Sequence, residues 1–244
     1  KYKITGTKGD GTRAVPAEGT IKLSTVSNDV PPSLDDFVVD PTTFGPDGDG
    51  RRETISVRAV MNRALDWSIS YQTMAGVELF SQNGNGFEVD VEWDGKDYSG
   101  VWQPNGEYTV NFTAVDDIGR TVTAQQVIKI DTVAPEISNI TFTPSTFSPD
   151  GDGIDDSTTL SFTLSNEALI TVYIYESGGG TLVRELYRLP WYNSDPEQIS
   201  MVWDGKSGTG VKVPAGKYNF KIWARDYAAN KAPQYPYTSA VNVK

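Results

Sequence analysis

The stretch VEWDGKDYSGVWQPNGEYTVNFTAVDD, residues Val91–Asp117, is written a second time as MVWDGKSGTGVKVPAGKYNFKIWARDY, residues Met201–Tyr227. At an offset of 110 positions, Trp93, Asp94, Gly95, Lys96, Gly100, Val101, Pro104, Gly106, Tyr108, Ala114 and Asp116 all meet an identical residue. Upstream the offset is 103: Pro32 matches Pro135, Pro41 matches Pro144, Phe44 matches Phe147, and Asp47-Gly-Asp-Gly matches Asp150-Gly-Asp-Gly. The extra residues of the second copy fall mostly in RLPWYNSDPEQ (Arg188–Gln198). So many identities in one order mark an internal duplication of about 100 residues, the size of a small domain.

Each copy is patterned for β-structure. Apolar residues alternate with period two at Ile55/Val57, Leu65/Trp67/Ile69/Tyr71, Phe87/Val89/Val91/Trp93 and Tyr108/Val110/Phe112. The second copy repeats this at Leu160/Phe162/Leu164, Ile170/Val172/Ile174, Met201/Trp203 and Tyr218/Phe220/Ile222. Gly, Pro, Asn and Asp gather between these runs, NGNG (Asn83–Gly86) among them as an expected turn, and no stretch sustains a helical period. About seven short strands in ~100 residues predict an all-β fold, a tandem of immunoglobulin-like (fibronectin III-like) seven-strand β-sandwiches. The Gly-x-Tyr at Gly106–Tyr108 and Gly216–Tyr218 stands where such sandwiches place a tyrosine at the start of strand F.

The expected organisation is a partial repeat with its linker over residues 1–30, one domain over 31–131 and a second over 132–244. In the partial repeat, Tyr2 takes the place of Tyr108, and Ile21 and Leu23 those of Ile128 and Ile130. The joining stretches NDVPPSL (Asn28–Leu34) and DTVAPEI (Asp131–Ile137) are short and stiffened by proline, which suits a semi-rigid rod.

Composition narrows the chemistry. The 244 residues include neither histidine nor cysteine, which removes the usual triad base, thiol chemistry and zinc–thiolate sites. The formal charge of −11 and the lack of a basic stripe argue against nucleic acid as a partner. No apolar run approaches the ~20 residues of a membrane-spanning helix. Carboxylates, hydroxyls and backbone oxygens remain, a set suited to a hard cation such as calcium rather than to catalysis.

The run FSPDGDGIDDSTTLSFTL (Phe147–Leu164), followed by WDGK (Trp203–Lys206), VPAGKY (Val213–Tyr218) and ARDYAAN (Ala224–Asn230), resembles the FlgD-type immunoglobulin-like repeat of bacterial surface and secreted proteins. The likeness covers both copies and is specific in the second; the first departs from it at Arg51-Arg52. The resemblance implies a modular scaffold, extracellular or on the bacterial cell surface, with neighbouring repeats or subunits as partners and no catalysis by these units.

The acidic loop is itself a motif. In Asp150-Gly-Asp152-Gly-Ile154-Asp155-Asp156, carboxylates stand at positions 1, 3 and 7, with glycines at 2 and 4 that permit a tight curl. This is a shortened form of the calcium-loop pattern, in which alternate side chains and a backbone carbonyl converge on one ion. Three carboxylates held together in isolation would repel one another at a cost of several kcal/mol. The expected ligands are Asp150, Asp152 and Asp156 with the Ile154 carbonyl, and Asp47, Asp49 and Glu53 with the Arg51 carbonyl; Arg51 and Arg52 should weaken the first site or turn outward. In such a sandwich the A–B loop and the E–F turn share the end from which the chain exits. The first loop should therefore face Asp131 and Asp226, and an ion there either stiffens the joint or stays within one unit.

Two further expectations concern partners. Trp191, Tyr192, Trp223 and Tyr227, with Tyr235 and Tyr237 nearby, offer aromatic surface for a polysaccharide or cell-surface ligand, or else for packing between units. The amino-terminal hairpin suits a filament or surface-layer subunit that completes a neighbour's sheet. Acids are plentiful, yet none sits in a cleft-forming segment that would make a glycosidase pair.

Overall fold

The computed structural model describes residues 2–4, 17–19, 30–178, 180–189 and 197–244. Every element in it is a strand. The amino-terminal pair, β1 (Tyr2–Ile4) and β2 (Ala17–Gly19), is antiparallel with Tyr2 opposite Gly19. The first unit comprises β3 (Leu34–Asp40), β4 (Thr43–Phe44), β5 (Ile55–Thr73), β6 (Glu78–Trp93), β7 (Gly106–Val115) and β8 (Thr121–Ile130). The second comprises β9 (Ile137–Thr143), β10 (Thr146–Phe147), β11 (Thr158–Leu164), β12 (Leu169–Glu176), β13 (Leu182–Leu189), β14 (Glu197–Trp203), β15 (Gly216–Arg225) and β16 (Tyr237–Val243).

The second unit shows the architecture most plainly. One sheet runs β14-β11-β9 and the other β10-β16-β15-β12-β13, the two-layer arrangement of a fibronectin III-like sandwich. Strand A is split between the layers: β9 pairs antiparallel with β11, and β10 crosses to pair parallel with β16, Phe147 opposite Val243. The first unit repeats this, with Phe44 opposite Ile130. The A–B loops thus begin at Phe44 and Phe147, both sealed in the cores, and this holds the acidic loops at one end of each sandwich.

Two separate apolar clusters form, one around Ile69, Tyr71, Trp93 and Phe112, the other around Leu160, Val172, Trp203 and Phe220. The period-two residues supply them, because alternate side chains of a strand point to one face. Phe87 is the exception, at 55% exposed. It lies where the pairing of β5 and β6 shifts register between Val60 and Leu65, and there β5 exchanges its other partner, β3, for β7.

The long pairing of β5 with β6 also corrects the NGNG expectation. Asn83–Gly86 is no turn: it lies inside β6, with Gly84 opposite Trp67 and Gly86 opposite Leu65. A Cβ at Gly84 would come within 2.5 Å of the Trp67 ring, so the glycine is there because an indole lies across the strand.

The repeated WDGK and GxY motifs are absorbed by structure. Trp93 Nε1 donates to the Lys96 carbonyl at 2.8 Å, and Trp203 Nε1 to the Lys206 carbonyl at 2.9 Å. Asp94 and Asp204 each accept from the N–H two residues on, the usual aspartate turn. Tyr108 donates to the Pro104 carbonyl at 2.6 Å and Tyr218 to that of Pro214 at 2.7 Å, the tyrosine corner of this fold.

Candidate metal sites

Each acidic loop closes on itself in the same way. In the second, the Ser148 N–H donates to the Asp155 carbonyl at 2.9 Å; in the first, the Gly45 N–H donates to the Arg52 carbonyl at 3.0 Å. The E–F turn packs against the second loop, where a Cβ on Gly205 would stand 2.6 Å from a Pro149 side-chain carbon. A–B loop and E–F turn therefore share one end of the sandwich.

Inside each loop the carboxylates at positions 1, 3 and 7 converge. One oxygen from each of Asp47, Asp49 and Glu53 lies within 4.8 Å of the others, and so do those of Asp150, Asp152 and Asp156. Calcium sits ~2.4 Å from its oxygen ligands, so an ion among these atoms can reach all three. The donors are hard oxygens throughout, which fits calcium or another hard cation.

Backbone N–H groups already orient these carboxylates. Gly48 and Gly50 donate to the two oxygens of Glu53 at 3.0 and 2.8 Å, and Gly151 and Gly153 to those of Asp156 at 2.6 and 2.8 Å. The Gly48 N–H, with those of Gly50, Arg51 and Asp49 and against the opposing push of burial, holds the Glu53 carboxyl below its usual range. The Ser148 hydroxyl, then the Asp152 N–H, does the same for Asp150. Four of the six carboxylates are exposed, so the repulsion expected of the bare loop is offset by these donors and by water. Arg51 and Ile154 also present exposed side chains.

The departures of the first loop are explained by what lies against it. Arg52 turns to the second unit, where its Nη1 donates to the Tyr227 carbonyl in the F–G turn. Gly45 is buried under the same turn: a Cβ there would stand 2.6 Å from the Asp131 carbonyl oxygen and 3.0 Å from Asn230 Oδ1. The equivalent residue in the second loop is Ser148, whose hydroxyl is free to bond Asp150. Asn230 completes the joint by donating from Nδ2 to the Asp131 carbonyl at 2.8 Å. The first loop thus faces the Asp131–Asp226 region.

A cavity of about 620 Å³ lies beside this joint, with Thr42, Lys129, Asp131, Glu167, Asp226 and Tyr227 in its wall. Lys129 pairs with Asp131 at 2.8 Å. The joint residues Gly45, Arg52 and Asn230 carried a signal in the sequence: each differs from its counterpart, Ser148, Asp155 or Arg120, inside an otherwise repeated motif.

Gly45→Ala should disrupt this joint while sparing both cores, since the added methyl would crowd the Asp131 carbonyl at 2.6 Å and, on the far side, Asn230 Oδ1 at 3.0 Å, the two groups that the joint brings together. Backbone ¹⁵N relaxation should show the two units tumbling more independently, with Ser148→Gly leaving them unchanged. Unaltered tumbling in Gly45→Ala would count against a close-packed joint.

Trp223 lies half-buried on β15 and meets Tyr173 edge-on, centroids 5.2 Å apart at 82°, while Lys221 sits 4.4 Å over Tyr175. Tyr227 belongs to the joint. Trp191 and Tyr192 lie outside the described residues, as do Ile21 and Leu23.

No protein-family model matches the chain, and neither does any curated protein. Among solved structures, it is similar to the fibronectin(III)-like modules of Clostridium thermocellum CbhA, at 11% identity and a TM-score of 0.43, covering 87% of this chain and 92% of that one. A tetra-tandem repeat from the extending region of a large adhesion protein aligns at 14% identity and a TM-score of 0.33, over 99% of this chain and 55% of that one. A Ca²⁺-stabilized adhesin that helps an Antarctic bacterium bind ice aligns at 13% identity and a TM-score of 0.32, over 99% of this chain and 56% of that one. The chain spans about half the length of those two adhesin chains, and at these TM-scores nothing about its role follows from the likeness.

Proposed function

We propose that this chain is a non-catalytic, calcium-stabilised spacer or adhesive scaffold within a bacterial extracellular or cell-surface protein, built from two FlgD-type sandwiches over residues 31–131 and 132–244. The observation that carries the calcium part is the carboxylate triad made twice, Asp47/Asp49/Glu53 and Asp150/Asp152/Asp156, each within the span of one ion. Backbone carbonyls of Arg51 and Ile154 would complete the shells. The ion would supply cross-linking charge, tying the start of strand B to the curl that follows strand A. The scaffold part is supported by the motif resemblance of the second unit and by the direct joint, which suits a chain that spans distance.

Calorimetric titration of the chelated protein with calcium should find two sites per chain, and Asp150→Ala/Asp152→Ala should leave one. Heat of binding that is absent in the wild type, or unchanged in the double variant, would overturn the assignment.

A further inference from the structure

Asp116 and Asp226 occupy the same position in the two F–G turns, and their surroundings differ in kind. Asp116 is held by two cations, Arg120 Nε at 2.7 Å and Arg63 Nη2 at 2.8 Å. Burial works against its ionised form, yet the hydrogen bonds from Arg120 and Ile118 outweigh it, and its carboxyl is lowered. Asp226 is 6% exposed and accepts from Asn230, from its N–H at 2.9 Å and its Nδ2 at 2.8 Å, and from the Ala228 N–H. Among the described residues no cation pairs with it.

The same Asn230 amide that bonds Asp226 also bonds the Asp131 carbonyl, at the end of the first unit. The charged and titratable groups around Asp226 are Lys129 in β8 and Asp131 just after it, Glu167 between β11 and β12, Tyr227 in its own turn, and Arg52 from the first acidic loop. Lys129 is committed to Asp131, and Arg52 to the Tyr227 carbonyl. A buried carboxylate therefore faces the Asp131 carboxylate across the joint, with neutral hydrogen-bond donors and only the longer-range attraction of Lys129, itself paired with Asp131, to hold it.

We propose that the joint between the two units is an acid-tightened latch, in which Asp226 takes up a proton as the units dock, so that they are held more firmly in mild acid than above neutrality. Docking removes water from Asp226 and brings the Asp131 carboxylate towards it; both changes disfavour the ionised form. The direction agrees with the Asp226 carboxyl being pushed up to about 6, by burial first, against hydrogen bonds from Asn230 and with a further push from Asp131. For a carboxyl raised in the docked state, the latch is fully formed below its ordinary value of 3.8 and weakens as pH rises through about 6. A shift of about two units corresponds to a docking equilibrium up to ~100-fold weaker at pH 7.5 than at pH 4.

The chain makes this testable, because it has no histidine and no cysteine. An unshifted carboxyl titrates near 4 and an α-amino group near 8, so a midpoint near 6 has to come from a displaced carboxyl. The experiment uses the full chain with chelator present, which separates it from any metal effect. Carboxyl ¹³C shifts and ¹⁵N relaxation are followed from pH 4 to 7.5. Asp226 should titrate near pH 6, the independent motion of the units should rise with the same midpoint, and Asp226→Asn should lose that dependence. An Asp226 midpoint below 4.5, or tumbling that is flat across the range, would overturn the latch. The wild-type titration decides the matter even if Asp226→Asn fails to fold.

Discussion

Calcium added to the chelated protein, at 100 times its dissociation constant, should stabilise each unit by about 2.7 kcal/mol and raise its melting temperature by about 10–20 °C. The gain arises because the folded loop gathers three carboxylates within one ion's reach and the unfolded chain does not. The comparison has to be made with and without calcium on each variant. Asp150→Ala also removes the acceptor of the Ser148 hydroxyl, and so carries a metal-independent cost of its own. In Asp150→Ala/Asp152→Ala, the second unit should stop responding while the first keeps its shift. A wild-type melting curve indifferent to calcium would reduce both loops to turns held by their glycine N–H groups.

The largest effect of a single substitution is expected at Trp203. Its side chain is fully buried, with Phe147, Tyr218 and Phe220 rings 5.2–5.6 Å away, centroid to centroid. Trp203→Ala should cost about 3–5 kcal/mol, the range for a buried aromatic that leaves a cavity. The change also removes the donor to the Lys206 carbonyl, and with it the tie between the core and the E–F turn that packs on Pro149. The calcium response of the second unit should therefore fall along with its stability. Denaturant unfolding measures the loss, and Tyr218→Phe, which forfeits one hydrogen bond to Pro214, is the scale marker at about 1 kcal/mol. A loss from Trp203→Ala no greater than that of Tyr218→Phe would contradict a core built around this indole.

Much of the sandwich was legible because it depends on near neighbours. Alternation placed Ile69, Val110, Leu160 and Ile222 in the cores, since side chains two apart share a face. The convergence of Asp150, Asp152 and Asp156 is likewise local, set by two glycines and a seven-residue span. Phe87 and NGNG were misread for the opposite reason. Their environment is made by Trp67 and by the register shift in the long β5–β6 pairing, and no window of adjacent residues contains that partner.

The sequence alone determined the duplication, the all-β class, the donors at the acidic loops, and the lack of any imidazole or thiol. These follow from spacing and residue chemistry, which a linear string carries in full. Only the tertiary structure decided what the first loop's odd residues are for. Gly45, Arg52, Asp131, Asp226 and Asn230 meet across separations of 99 and 175 residues, as in the bonds of Asn230 to Asp131 and Arg52 to Tyr227. Their chemistry depends on burial against the other unit. Both acids are buried, but Asp116 is held by Arg63 and Arg120 whereas Asp226 is held by Asn230, which also reaches across the joint, although the two stand at the same place in one motif.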